Sequence, residues 1–143
     1  DELRRAADQA IPLTLLMADI DNFKRVNDTH GHLTGDAVLR RIARALREGV
    51  RGTDLVARYG GEEFAVLLVE TPLDAGAVVA DRLRASVEAL RYEDVGLAEA
   101  VTVSIGAAGF PGQASDERGL IEKADEALYA AKGAGKNRVT VAG

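Results

Sequence analysis

Two adjacent glycines, Gly60 and Gly61, stand between two short strand-like segments, 54–58 and 63–69. That arrangement constrains the fold more than any other stretch of the chain. Glycine reaches positive φ without a Cβ clash, so a glycine pair in this setting signals a β-hairpin. A hairpin within the chain requires a sheet with antiparallel pairs, which sets it apart from the doubly wound parallel nucleotide folds. Acids follow the glycines directly, in the order Tyr59-Gly60-Gly61-Glu62-Glu63.

Periodicity supplies the remaining elements. Pro12 to Asp19 is an apolar run that ends abruptly in acid, as a buried strand does. Asp21 is placed to cap a short helix through Phe23 and Val26 that stops near Gly31. Thr34 is placed as the N-cap of a longer helix. Val38, Leu39, Ile42, Ala43 and Leu46 form its apolar stripe, with Arg40, Arg44 and Arg47 toward water. A third helix runs over 73–90, with Val78, Val79, Leu83, Val87 and Leu90 inward. Val101 to Ala108 alternates as a strand, and Glu117 to Lys132 reads as a last helix. Leu120, Ala124, Ala127, Leu128 and Ala131 face the core; Gly133 and Gly135 end the helix, and Arg138 to Val141 closes the sheet. The order β-α-α-β-β-α-β-α-β predicts an α+β fold: a five-stranded sheet with a central antiparallel hairpin and helices packed on it.

Composition narrows the function. A chain of 143 residues without repeats or a low-complexity linker suits one domain with one core. It has no cysteine, which removes disulfides, thiolate-zinc sites and cysteine nucleophiles. Its net charge of −5 argues against a general affinity for nucleic-acid backbones. A phosphorylated small molecule stays possible, because a divalent metal reverses the local field of an acidic pocket. No apolar run is long enough to span a bilayer, and residues 1–5 do not resemble a signal peptide. The opening is a charged stretch with helical character. No direct membrane contact and a cytoplasmic setting are therefore expected. A P-loop or dinucleotide-type glycine loop is missing, so any nucleotide is held in another way.

The candidate chemistry lies in carboxylates. Asp19 ends the first strand, Asp21 follows, and the hairpin carries Glu62 and Glu63. If that strand lies beside the hairpin, Asp19 and Glu62 face one another at a sheet edge. Hard oxygen ligands so placed suit Mg²⁺ or Mn²⁺. Each piece alone has a plainer reading, since an Asp after a strand is more often a helix cap.

Together the pieces resemble a known family. Arg58 to Phe64 reads RYGGEEF, the motif of the GGDEF diguanylate cyclases in its GGEEF form. Asp19-Ile20-Asp21-Asn22-Phe23-Lys24, Asn27-Asp28, Gly31-His32 and Gly35-Asp36 resemble that family's DxDxFKxxND…GH block. Thr102 to Gly106, and Ala124-Asp125 through Lys132 with Gly135-Lys136-Asn137, resemble its later strand and terminal helix. The resemblance covers about residues 11–141 and implies a fold like the nucleotidyl cyclase and polymerase palm. The family's usual DxLTGLxNRR opening precedes the first helix and is not in this chain. Residues 1–143 are thus expected to be one GGDEF domain, a fragment of a longer multidomain regulator, and a membrane anchor elsewhere in that regulator is compatible with this reading.

The resemblance also implies roles. Asp19, the Ile20 carbonyl and Glu62 are the implied ligands of Mg²⁺ or Mn²⁺, and Glu62 or Glu63 is implied in deprotonating the attacking hydroxyl. Asn27 and Asp36 match the guanine readers, consistent with a base edge that offers N1–H and N2–H₂ donors beside an O6 acceptor. His32 is implied in positioning that site, Phe23 in packing beside the nucleotide, and Lys24, Lys132 and Lys136 in phosphate contact. A Cβ at Gly60 or Gly61 would obstruct the bound nucleotide. Arg51-Gly52-Thr53-Asp54, with five residues between Asp54 and Gly60, matches the product-inhibition site, and Arg82 matches a further contact of it. The implied partners are GTP as substrate, cyclic di-GMP as product and inhibitor, and a second copy of the domain in a catalytic homodimer. The rival expectations are a non-catalytic module that binds GTP or cyclic di-GMP, another palm-type cyclase or polymerase, and a purely structural domain.

Overall fold

A computed structural model describes residues 11–143; the helical character expected of the charged opening lies outside them. The elements run β1 (Leu13–Ile20), α1 (Phe23–His30), α2 (His32–Glu48), β2 (Leu55–Arg58), β3 (Glu63–Leu68), α3 (Leu73–Glu88), a 3₁₀ turn (Glu93–Val95), β4 (Val103–Phe110), α4 (Glu117–Gly133) and β5 (Val139–Val141). The sheet order is β2-β3-β1-β4-β5, antiparallel throughout except for the parallel β4–β5 pair. The α+β class and the five strands match expectation. The hairpin, however, forms one flank of the sheet, and β1 is the central strand.

β1 earns its central place by being apolar on both faces. Leu16, Ala18 and Ile20 point into a core closed by α1, α2 and α3, where Val26, Val38, Ile42, Leu46, Leu83 and Val87 are buried. Leu13, Leu15 and Met17 point to the other face, against Leu120, Ala124 and Leu128 of α4. Each such side chain contributes roughly 1.5–3 kcal/mol on burial. The strand is thereby locked in register, because a one-residue slip would exchange its two faces. Asp19 is the one β1 position that is not fully buried.

Four local expectations are corrected. Asp21 does not cap α1: Asn22 holds the N-cap position in a left-handed conformation, φ 58°, without a side-chain cap bond. Asp21 is drawn inward by partners far along the chain. Thr34 lies within α2, which begins at His32, and its hydroxyl donates to the Val95 carbonyl at 3.0 Å, tying α2 to the 3₁₀ turn. Val78 is 68% exposed, because α3 turns Gly76, Ala80, Leu83 and Val87 to the sheet, its two small residues allowing close approach. Finally, neither Gly60 nor Gly61 adopts positive φ. The four-residue loop is closed instead by the amides of Tyr59 and Gly60, which donate to the Glu63 carbonyl at 2.7 and 3.2 Å.

Candidate active site

β1 and β3 pair so that Asp19 sits opposite Glu63, and the Ile20 amide donates to the Glu62 carbonyl at 3.1 Å. This brings the end of the central strand against the glycine turn, as the sequence required for Asp19 and Glu62 to meet. Burial holds the Asp19 carboxyl above its ordinary value, outweighing the nearby Lys132 ammonium. Burial and then the Asp19 charge do the same to Glu62. Glu63 is raised by burial first, then by Asp125 of α4, Asp19 and Glu62. Asp19 Oδ1 is buried without a hydrogen-bond partner. Carboxylates crowded in this way, with an orphaned oxygen, fit a divalent cation. No three His, Cys, Asp or Glu side chains converge on one point among the described residues. Two carboxylates, a main-chain carbonyl and ligand oxygens are what the place offers.

Asp21 does different work. It is 4% exposed and accepts from the hydroxyls of Thr102 and Ser104, both at 2.7 Å. It also accepts from Lys132 Nζ at 2.8 Å and the Asn137 amide at 3.0 Å. Burial opposes its ionisation, but these hydrogen bonds prevail and hold its pKa below the usual carboxylate value. Lys132 Nζ also lies 3.4 Å from the Ile20 carbonyl and 3.7 Å from Asp19 Oδ1. A cation therefore already stands at the mouth of the carboxylate pair.

The α1–α2 corner holds the next group. The Asn27 amide lies over Gly35: a Cβ there would stand 1.8 Å from Asn27 Oδ1 and 3.4 Å from the Phe23 ring. Any larger residue at 35 would displace the Asn27 amide, whose Oδ1 is buried without a hydrogen-bond partner. Asp36 follows Gly35 on α2 and is exposed, as are His32 and Lys24. Phe23 is 7% exposed and packs in the core beneath this corner. Lys136, in a left-handed turn at φ 67°, donates to Asn22 Oδ1 at 2.7 Å.

Arg51 and Asp54 are joined on the far side of the hairpin. Arg51 Nε and Nη2 reach Asp54 at 3.3 and 3.2 Å, and Nη2 also donates to Thr71 Oγ1 at 3.0 Å and to the Val69 carbonyl. Asp54, with a side chain 3% exposed, accepts from the Val69 amide at 3.0 Å, while the Arg51 side chain is 58% exposed. Arg82 donates to the Gly49 carbonyl at 2.8 Å, so it leans over the loop that carries Arg51.

Three residues escaped the sequence reading. Asp21 was assigned a cap and proves to be the anchor of Lys132; the hydroxyls of Thr102 and Ser104, alternating on one strand, were the available signal. Asp125 adds a half-buried carboxylate whose charge acts on Glu63. Arg58 bonds the glycine turn itself.

With this geometry described, comparison with known proteins gives a consistent picture. Residues 1–138 match the family described as "Diguanylate cyclase, GGDEF domain". Diguanylate cyclase DgcP of Pseudomonas aeruginosa is 48% identical over 130 residues, which are 91% of this chain and 19% of that protein. The GGDEF domain of PA1120 (YfiN or TpbB) from Pseudomonas aeruginosa superposes with a TM-score of 0.90 at 40% identity, covering 99% of this chain and 89% of that one. The GGDEF domain of DgcB from Caulobacter crescentus, in complex with c-di-GMP, superposes with a TM-score of 0.87 at 37% identity, over 96% of this chain and 82% of that one. The chain spans 19–35% of the length of the curated diguanylate cyclases that it matches at 44–48% identity. On its sequence, its sheet order and the pairing of β1 with a GGEEF hairpin, this chain belongs to the GGDEF family of diguanylate cyclase domains.

Proposed function

We propose that the domain condenses two GTP molecules into cyclic di-GMP, releasing two pyrophosphates, each 3′-hydroxyl attacking the α-phosphate held by the partner domain. The observation that carries this reading is Asp19 Oδ1, buried without a hydrogen-bond partner beside Glu62 of the glycine turn. Gly61 is compatible with it: a Cβ there would meet nothing of the protein within 4 Å, so the turn is open to solvent on that side.

Asp19, the Ile20 carbonyl and Glu62 would hold the Mg²⁺ or Mn²⁺. Bound there, the cation polarises the α-phosphate and lowers the pKa of the attacking hydroxyl. The chain's own residues supply the rest. Asn27, its Oδ1 free for a donor, and the exposed Asp36 accept from the guanine edge, with His32 beside them on α2. Lys24, Lys132 and Lys136 meet phosphate oxygens, Lys132 from its anchor on Asp21. Glu62 or Glu63, with proton affinity raised by burial, takes the hydroxyl proton. Arg51, Asp54 and Arg82 bind cyclic di-GMP as an inhibitor, Arg51 through its exposed guanidinium. One domain holds one substrate, so the working species is a homodimer.

The domain is proposed to be the output unit of a longer regulator, acting in the cytoplasm where GTP is available. No helix among the described residues is long and apolar enough to cross a membrane. The test is incubation with GTP and Mg²⁺ and identification of the product by mass spectrometry. Cyclic di-GMP from the wild type and none from Asp19→Asn is the expected result. GTP bound but recovered unchanged would replace the enzyme by a binding module.

A further inference from the structure

Arg58 ends β2, and its guanidinium folds back over the glycine turn. Nε donates to the Gly60 carbonyl at 3.2 Å and Nη2 to the Gly61 carbonyl at 2.6 Å. A planar fork suits two consecutive carbonyls as a single point charge does not. Main-chain bonds to the Glu62 and Glu63 carbonyls hold the end of the turn, but the two glycines make little side-chain contact. A Cβ at Gly61 would face open space, and at Gly60 it would meet only Glu63, at 3.6 Å. Glycines so placed have the widest backbone freedom of any residue.

The surroundings explain why Arg58 takes these partners. It lines a groove of about 520 Å³ together with Arg40, Arg41, Arg44 and Arg47 of α2, over Leu39, Val56 and Phe64. Arg41 is paired with Asp94 and Arg44 with Glu48, so the nearby acids on that side are already engaged. The acceptors that Arg58 takes are the two glycine carbonyls of the turn.

The turn is thus tied on both sides. Arg58 holds the Gly60 and Gly61 carbonyls from outside, and the Ile20 amide holds the Glu62 carbonyl from the strand that carries Asp19. We propose that Arg58 is a positioning residue: it fixes the glycine turn so that Glu62 is presented to Asp19 in one geometry. The proposal rests on the cyclase reading for its effect on turnover, but the clamp itself is a property of the protein alone.

Two measurements on Arg58→Ala and Arg58→Lys test it. Amide hydrogen exchange of the unliganded protein reads the clamp. Tyr59, Gly60 and Ile20 amides, all bonded across the turn, are expected to lose protection in Arg58→Ala while β1–β4 pairs keep theirs. Kinetics with GTP read the consequence. Because misplacing a reacting group by about 1 Å costs on the order of 100-fold, kcat is expected to fall about 10- to 100-fold in Arg58→Ala, with KM nearly unchanged. Arg58→Lys, able to meet one carbonyl at a time, recovers part of both. Unchanged protection in Arg58→Ala overturns the clamp, and so does a rise in KM with kcat intact, which would make Arg58 a substrate contact. Should Arg58→Ala fail to fold, full protection and full kcat in Arg58→Lys overturn it equally. A wild type that makes no cyclic di-GMP removes the cyclase reading, and the exchange measurement still decides the clamp.

Discussion

The Lys132 ammonium stands 2.8 Å from Asp21 Oδ1 and 3.7 Å from Asp19 Oδ1, one cation shared unequally by two carboxylates. The inequality separates their chemistry. Asp21, surrounded by donors, is held ionised and keeps Lys132 in place. Asp19, two residues away, gains less from the same ammonium, and burial raises its proton affinity. An anion fixed by hydrogen bonds anchors the cation; an anion left short of partners is ready for a ligand.

Asp21→Asn is therefore expected to be strongly destabilising. An amide brings an NH₂ among donors and removes the nearer of the two carboxylates that hold Lys132, and breaking a buried pair typically costs about 3–5 kcal/mol. Urea unfolding at neutral pH measures it. A loss below about 1 kcal/mol would show that Asp21 is not the anchor described.

Glu62→Gln is expected to abolish turnover while leaving the fold intact. Glu62 is half-buried on an exposed turn, and its charge repels Asp19, so neutralising it relieves repulsion in the unliganded protein. The thermal midpoint should hold or rise, while cyclic di-GMP production under saturating Mg²⁺ falls at least about 100-fold. An undiminished rate would remove Glu62 from the mechanism.

The element order and the meeting of Asp19 with the hairpin were legible because both follow from local pattern. An apolar run ending in acid marks β1, and a glycine pair between strands marks the turn. Asp21 was misread for the same reason. Local rules see a carboxylate just before a helix, whereas its partners Thr102 and Asn137 lie 81 and 116 residues away. Thr34 failed likewise, its acceptor being Val95. The glycine pair was read correctly as a turn but for the wrong cause, since positive φ is not used there. The hold of Arg58 on the Gly60 and Gly61 carbonyls depends on the path of the folded turn, which local pattern does not specify.

Tyr92 gives a pH-dependent test. It is 1% exposed, its hydroxyl has no partner among the described residues, and burial pushes its pKa up to about 12. An unfolded tyrosine titrates near 10. Between about pH 10 and 12 the unfolded chain has lost a proton that the native state retains, so stability falls as pH rises. The full difference is on the order of 2 kcal/mol. Tyr92→Phe lacks this slope, keeps a ring beneath the Arg41 guanidinium, and is expected to equal or exceed the wild type at pH 7. Urea unfolding at pH 7 and pH 11 should show the variant's relative stability growing with pH; a constant difference refutes the assignment.

Cyclic di-GMP is expected to bind at Arg51, away from the glycine turn. Arg51→Ala is the cleaner variant, because the Asp54 side chain is 3% exposed and also accepts from the Val69 amide. Calorimetry should show at least about a 10-fold loss of affinity, the scale of a lost charge-assisted hydrogen bond. Equal affinities in wild type and variant would make the RxxD pattern accidental here.

Catalysis should rise faster than linearly with protein concentration. In the proposed reaction two domains must meet, because each reacting hydroxyl attacks a phosphate held by the other. The described residues, 11–143, offer little to hold such a pair together. The apolar stripes of its helices are buried in its own two cores, and the exposed large apolar residues Leu33, Leu55, Tyr59, Val78, Tyr129 and Val141 are spread over α2, β2, the glycine turn, α3, α4 and β5. Below the dissociation constant the dimer population grows as the square of total protein, and so should the initial rate at saturating GTP. Fusing a parallel coiled coil ahead of Asp1 makes the encounter intramolecular, at an effective concentration of about millimolar for a short linker. Activity per domain should then increase and lose much of its concentration dependence. The measurement is initial rate against enzyme concentration, with and without the coil. A strictly linear dependence in the unfused domain, with light scattering reporting a monomer, would contradict the two-domain reaction and leave a single domain to hold both nucleotides.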